Sequence, residues 1–509
     1  MISNYFFRHL LKGVATVVLW LPLVSTAQKN NITKSEPYRQ AFHFTPKKGW
    51  MNDPNGMVYY NGVYHLFFQY YPDSTVWGPM HWGHAVSKDL INWKELPIAL
   101  FPDSIGMIFS GSAVIDANNT AGFGKNAMVA IYAQHNAALE KSGSDKFQNQ
   151  SIAYSLNEGK TWMKYKGNPV VRNPGIRDFR DPKVFWFAPQ NKWIMTLATL
   201  DHITFYSSTD LKNWKEESKF GKTVGAHGGV WECPDLFPLM YDGKQIWVLV
   251  VNLNPGGPNG GSATQYFTGS FDGHAFQPND AKTKWLDYGP DEYAGINWAN
   301  TGNRKIFLGW MSNWEYAQVV PTKSWRSAMT VPRELSLEKV NNEYLIASNP
   351  VKELNSLNGD MKTLSNVVIK GPLDVTKRLG GVNGLFRLDL KGLSVADFFI
   401  ELSNTRGDIV TIGYDKNANQ YYIDRTQSGI INFNKNFAGK HTAPRFANSK
   451  SIDLKLIADK ASVELFADGG LSVMTSIFFP HEPISIIKIK AGENATTIKE
   501  LRLKKITFE

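Results

Sequence analysis

Short runs of aromatic and β-branched residues, separated by Gly, Asn, Asp and Pro turns, recur along the chain with no helical apolar periodicity between them. Three of the repeats share one layout. Asp53-Pro54-Asn55-Gly56 leads into residues 57–60, an Asn61-Gly62 turn and residues 63–69. Asp181-Pro182 leads into 183–187, a Pro189-Gln190-Asn191 turn and 193–199, and Glu232-Cys233-Pro234 leads into 235–240, an Asp242-Gly243 turn and 245–251. Each predicts a strand–turn–strand unit, because the turn residues supply the backbone conformations that a tight hairpin needs. Weaker copies start at Ser110-Gly111-Ser112 and Glu292-Tyr293-Ala294. A second repeat sets a polar turn ahead of an aromatic plug: Ser87-Lys88-Asp89 before Trp93, Ser155 before Trp162, Ser208-Thr209-Asp210 before Trp214, Ser270-Phe271-Asp272 before Phe276. Five units in series predict a radial repeat. A propeller of four-stranded blades is the closest architecture, with a long β-sandwich as the alternative.

The pattern changes late in the chain. All 16 tryptophans lie at or before Trp325, which predicts a domain boundary between Leu335 and Pro350. Beyond it, residues 397–402, 409–414, 462–466, 471–478 and 484–489 read as short strands, and Ala467-Asp468-Gly469-Gly470 as a hairpin turn, the signature of a β-sandwich. The expected organisation is a signal peptide over 1–27, a linker over 28–40, a propeller over 41–340 and a sandwich over 350–509. The leader rests on basic Arg8, His9 and Lys12, an apolar stretch from Gly13 to Val24, and small residues Ser25-Thr26-Ala27. No other stretch is long and apolar enough to span a bilayer, and no cysteine follows the leader for lipid attachment. A soluble protein outside the cytoplasm is therefore expected. The single cysteine, Cys233, excludes an intramolecular disulfide. Sequons at Asn31, Asn118, Asn149 and Asn494 are no more than an Asn-rich chain produces by chance. The net charge of +10 is spread without a basic run, so no nucleic-acid partner is expected.

Asp53, Asp181 and Glu232 stand at the start of the first strand in three different units. In a propeller such positions converge on the axis, so three carboxylates far apart in sequence should share one pocket. Like charges held together cost energy unless one takes a proton, which is how a site obtains both an acid and a base at neutral pH. A carboxyl pair of that kind is what glycoside hydrolysis requires. Trp50, Trp77, Trp82, Trp231, Trp298 and Trp314 lie near the same unit starts, where flat rings suit the apolar faces of sugars, although any one of them could equally pack a core. No His/Cys cluster has metal-ligand spacing, and neither a metal nor another cofactor is expected.

These motifs resemble a known family. Trp50-Met51-Asn52-Asp53-Pro54-Asn55-Gly56, Phe179-Arg180-Asp181-Pro182 and Trp231-Glu232-Cys233-Pro234-Asp235 are similar to the three signatures of glycoside hydrolase family 32, which holds invertases, inulinases and levanases. The Trp77–His84 segment, Phe109-Ser110-Gly111-Ser112, Trp310-Met311-Ser312-Asn313-Trp314, the 324–335 stretch and the 463–470 stretch extend the likeness from about Phe42 to the C-terminus. The resemblance implies an all-β chain, a five-bladed β-propeller followed by a C-terminal β-sandwich, and a retaining mechanism without a metal. It implies Asp53 as nucleophile, Glu232 as acid/base and Asp181 as transition-state stabiliser beside Arg180. Asn52, Gln69, Trp77, Phe109, Ser110 and Trp314 are expected around the fructose. The expected substrate is a fructan, levan or inulin, with sucrose beside it, attacked from the chain end in a pocket walled by Trp77 and Trp82. An endo-acting levanase or fructosyltransferase on the same scaffold and a non-catalytic fructan-binding protein are the competing readings. The sequence does not rank the substrates or set the oligomeric state.

Overall fold

The computed structural model describes residues 36–492 and 495–508. The expected leader, most of the linker and the sequons at Asn31 and Asn494 lie outside the described residues. Up to Pro350 the described chain is antiparallel strand in five sheets. Their first strands are Gly49–Tyr60, Met107–Asp116, Phe179–Phe187, Val230–Tyr241 and Tyr293–Asn297. Each first strand contacts those of the sheets before and after it, and the fifth returns to the first. Such a closed ring of sheets is a propeller, which removes long open edges without a barrel. A late segment ties the ring: Trp325–Arg326 adds to the first sheet in parallel, Trp325 opposite Gly49 and Arg326 opposite Trp50.

The polar-turn repeat joins the third and fourth strands of successive sheets. Asp89 accepts the backbone N–H groups of Ile91 and Asn92, and the Trp93 indole donates to the Leu90 carbonyl. Asp210, Lys212, Asn213 and Trp214 repeat that arrangement in the third sheet. The carboxylate satisfies the turn's own donors, which leaves the ring that follows free to plug the gap beside the sheet.

All five first strands carry a β-bulge near their start, two residues opposing one. Asn52-Asp53 oppose Gln69 and Phe109-Ser110 oppose Ala133. Asp181-Pro182 oppose Leu197, Cys233-Pro234 oppose Val251, and Ala294-Gly295 oppose Gly309. Bulges re-aim side chains and tolerate proline, which explains the Asp-Pro and Cys-Pro pairs inside strands. Asp181, Cys233 and Ala294 take left-handed backbone there, at φ 64°, 42° and 55°. Aligned on the bulge, the three carboxylates occupy successive positions rather than one. Glu232 stands just before its bulge, Asp181 at its first residue, and Asp53 at its second.

Beyond Pro350 two six-stranded sheets face one another between Met361 and Lys505 around Leu388, Leu390, Ile400, Ile412, Leu456 and Ile487. This is the expected β-sandwich. Strands Ser462–Ala467 and Ser472–Ile477 are joined by the turn at Asp468–Gly470. Gly470 has φ 87°, and a Cβ there would sit 2.3 Å from the Ser348 carbonyl, so the close approach of the two domains requires glycine. Tyr38–Glu509 forms one compact unit. Among the described residues no helix is long and apolar enough to cross a membrane.

A buried chain of alternating charge welds sandwich to propeller. Arg333 donates to Asp287 at 2.8 Å and to Glu464 at 2.6 Å. His43 bonds Glu464 through Nε2 at 2.9 Å and Asp459 through Nδ1 at 2.8 Å, and none of these five side chains is exposed. Burial disfavours the imidazolium, but the hydrogen bonds and charges of Asp459 and Glu464 outweigh it and push His43 up to about 9. A histidine raised in the folded state contributes stability that is complete below its ordinary value of 6.5 and lost as pH rises through about 9. The urea midpoint of the wild type is therefore expected to fall between pH 7 and 10, with a shallower fall in His43→Gln. Parallel pH dependence in the two proteins would remove His43 as the cause.

Candidate active site

Side chains at the bulges or directly before them meet across the first strands and interlock by hydrogen bonds. Asp53 accepts from its own strand and from the second sheet: Asn52 Nδ2 donates to Oδ1 at 2.8 Å, and Ser110 Oγ to Oδ2 at 2.6 Å. Asn52 is held in turn by the Trp50 indole, which donates to its Oδ1 at 2.7 Å. Burial and the neighbouring Glu232 carboxylate raise the pKa of Asp53, while the Ser110 and Asn52 donors pull the other way. Those two bonds stabilise the ionised form that a nucleophile needs.

Glu232 is gripped on both oxygens. Arg180, at the equivalent position one sheet earlier, donates to Oε1 from Nη2 at 2.8 Å and from Nε at 3.2 Å. Tyr293, at the equivalent position one sheet later, donates its hydroxyl to Oε2. Arg180 is oriented by Asp178 through Nη1. Burial, followed by the Glu232 charge, raises the Tyr293 phenol well above its ordinary value, so it remains a donor.

Asp181 is buried, accepts the Cys233 N–H at 3.1 Å, and lies 3.9 Å from Arg180 Nε. Burial pushes it up to about 7, with Arg180 opposing and the Glu232 and Asp53 charges adding to the rise. The Cys233 thiol reaches Asp53 Oδ2 and Asp181 Oδ2, each at 3.6 Å, and burial followed by the Asp181 and Asp53 charges keeps it protonated. One sulfur thus touches the carboxylates of two different sheets, which proves their convergence in space. Asp181 and Cys233 line a small cavity together with Pro54, Asn55, Ser110, Pro182, Lys183 and Pro234.

The remaining predicted residues fall at different depths. Gln69 opposes the Asn52-Asp53 bulge and donates to Asn55 Oδ1 at 2.7 Å. Trp77 is 38% exposed on the loop after the second strand, its ring 6.1 Å from that of half-buried Phe109. Trp314 packs on Trp50 and Trp310 at 5.8 and 4.9 Å. Trp82 is fully buried, so it is no wall of the pocket; its indole donates to the Phe109 carbonyl and its ring packs near Phe67 and Tyr132. Trp50, Trp231 and Trp298 are core residues as well. Cys233, Tyr293 and Asp178 were not singled out as site residues from the sequence. The signal for Tyr293 was available, because it stands at the start of the weak fifth unit in the place that Glu232 takes in the fourth. Among the described residues no group of His, Cys, Asp and Glu could hold a metal ion.

The chain belongs to glycoside hydrolase family 32. The pattern described as "Glycosyl hydrolases family 32 N-terminal domain" matches residues 43–350, and "Glycosyl hydrolases family 32 C terminal" matches 355–505. It is a glycoside hydrolase by that membership. The levanase of Bacillus subtilis is 45% identical over an alignment of 484 residues that covers 92% of this chain and 70% of the levanase. The crystal structure of exo-inulinase from Aspergillus awamori is 36% identical with a TM-score of 0.84, covering 94% of this chain and 99% of that one. The β-fructofuranosidase of Schwanniomyces occidentalis, solved with fructosyl-erythritol, is 35% identical with a TM-score of 0.85, covering 93% and 98%.

Proposed function

We propose that this chain is a retaining, exo-acting β-fructosidase that removes terminal fructose from levan, inulin and sucrose, and that it works outside the cytoplasm. The observation that carries the reading is the interlocked carboxylate cluster, Asp53 held by Ser110 and Asn52, and Glu232 held by Arg180 and Tyr293. Relatives named levanase, exo-inulinase and β-fructofuranosidase support the substrate class. In the first half-reaction Asp53 forms a bond to the anomeric carbon, the glycosidic bond breaks, and Glu232 passes a proton to the leaving oxygen. In the second, Glu232 takes a proton from water, the resulting hydroxide bonds the same carbon, and Asp53 leaves. Asp181 accepts hydrogen bonds from ring hydroxyls and stabilises the positive charge that develops on the fructosyl ring in the transition state of each step. Asp53 already has its two donors in place, and Arg180 and Tyr293 hold Glu232 beside it; Glu232 takes up the proton that it passes to the leaving oxygen and recovers it from water in the second step.

Exo action is supported by the exo-inulinase relative and by the aromatic rings of Trp77 and Phe109, which pack edge to face 6.1 Å apart next to Ser110, the residue that holds Asp53. Early products from levan and inulin should be fructose alone. A ladder of oligosaccharides that precedes fructose would replace this reading with the endo-acting one.

A further inference from the structure

The loop from Ser312 to Ser324 in the fifth sheet connects three parts of the molecule. At its start Trp314 packs on Trp50, the residue whose indole holds Asn52 against the nucleophile. In its middle the Tyr316 hydroxyl donates to Asp291 at 2.5 Å and accepts from the sandwich's Arg425 at 2.9 Å. Two residues later Gln318 Oε1 accepts the backbone N–H of Trp77 at 3.3 Å, joining this loop to residues 72–80, which carry the pocket wall.

The return of the loop is pinned by one side chain. Arg326, 7% exposed, donates to the carbonyls of Gln318, Val320 and Thr322 and to the Thr322 hydroxyl. Its own backbone pairs with Trp50 on the nucleophile strand. Among the described residues no carboxylate forms an ion pair with it, and burial lowers its pKa. A guanidinium buried without a counter-charge is costly unless its fork is filled by acceptors in fixed positions, and three loop carbonyls do that here.

We propose that Arg326 and Gln318 form a latch that sets the position of Trp77 against the terminal fructose, an inference that rests on the β-fructosidase reading. Neither residue touches the reacting atoms; both are positioning residues, Arg326 through the loop and Gln318 through the Trp77 amide. An apolar wall contacts ground state and transition state alike, so a loose latch raises KM and leaves kcat in place.

The test compares the wild type with Gln318→Ala, Gln318→Glu and Arg326→Lys by hydrogen exchange over residues 72–80 and by sucrose and levan kinetics. Gln318 is exposed, so its replacement leaves folding intact. Gln318→Ala should speed exchange at Trp77 and raise KM roughly three- to tenfold with kcat within about twofold, the size expected for one lost hydrogen bond. Gln318→Glu keeps an acceptor and should restore both, while Arg326→Lys, which loses the fork, should reproduce the alanine phenotype. Unchanged exchange in Gln318→Ala, or faster exchange with an unchanged KM, overturns the latch. A wild type that hydrolyses neither substrate overturns the fructosidase reading instead, and exchange at Trp77 still reports on the latch.

Discussion

Asp53→Ala should lower kcat by on the order of 10⁴- to 10⁶-fold, the range seen when a nucleophile that works as part of a unit is removed. The fold should survive and gain stability. Burial and the Glu232 charge both raise the pKa of Asp53, so the ionised side chain is a liability in the substrate-free protein, only partly offset by Ser110 and Asn52. Sites arranged for function commonly hold such strain. Steady-state kinetics on sucrose and a thermal melt decide the matter together. A folded Asp53→Ala protein with near-wild-type turnover would take the nucleophile's role from this residue, and a collapsed one would show that Asp53 is structural.

Glu232→Ala should behave differently with different substrates. On sucrose or levan the leaving group is an alcohol that needs a proton, and the loss should be roughly 10²- to 10⁴-fold. On an aryl β-fructoside, whose leaving group departs as a stable anion, formation of the fructosyl–enzyme should proceed almost unaided. The slow step then becomes attack by water without a base, visible as a burst of released phenol followed by a slow phase. The contrast separates a proton donor from a residue that merely maintains shape, since a distorted pocket would slow both substrates equally. Arg180 and Tyr293, which fix the two oxygens of Glu232, would lose their shared acceptor, so the comparison requires a melt alongside.

The sequence made the repeat and the three acids legible because each unit sets its acid one or two residues before a proline and eight to ten residues before a turn. Those prolines lie in or directly after the bulges beside which the acids stand. The one-residue stagger among Glu232, Asp181 and Asp53 was not legible, because it depends on which partner residue each strand faces. The fifth sheet was faint. Its first strand is only Tyr293–Asn297, flanked by short pieces, so the layout that marked the three strong units has little length in which to appear. Tyr293 stands where Glu232 stands one unit earlier, but a tyrosine is not a carboxylate and does not stand out beside the three acids. The tryptophans were ambiguous for a simpler cause: an indole against a sugar and an indole in a core look alike in sequence, and burial placed Trp50, Trp82, Trp231 and Trp298 in the core. The charge chain His43–Glu464–Arg333–Asp287 joins residues distant in sequence, and isolated His, Glu and Arg carry no periodicity that reveals such pairing.

We propose that Asp53 and Glu232 act as a nucleophile and acid/base pair by double displacement. Each displacement inverts the anomeric carbon, so two restore its configuration. Proton and carbon NMR of the sugar released in the first minutes of hydrolysis, before mutarotation, reads this directly. β-Fructofuranose should be the first product, and α-fructofuranose appearing first would rule out double displacement through Asp53.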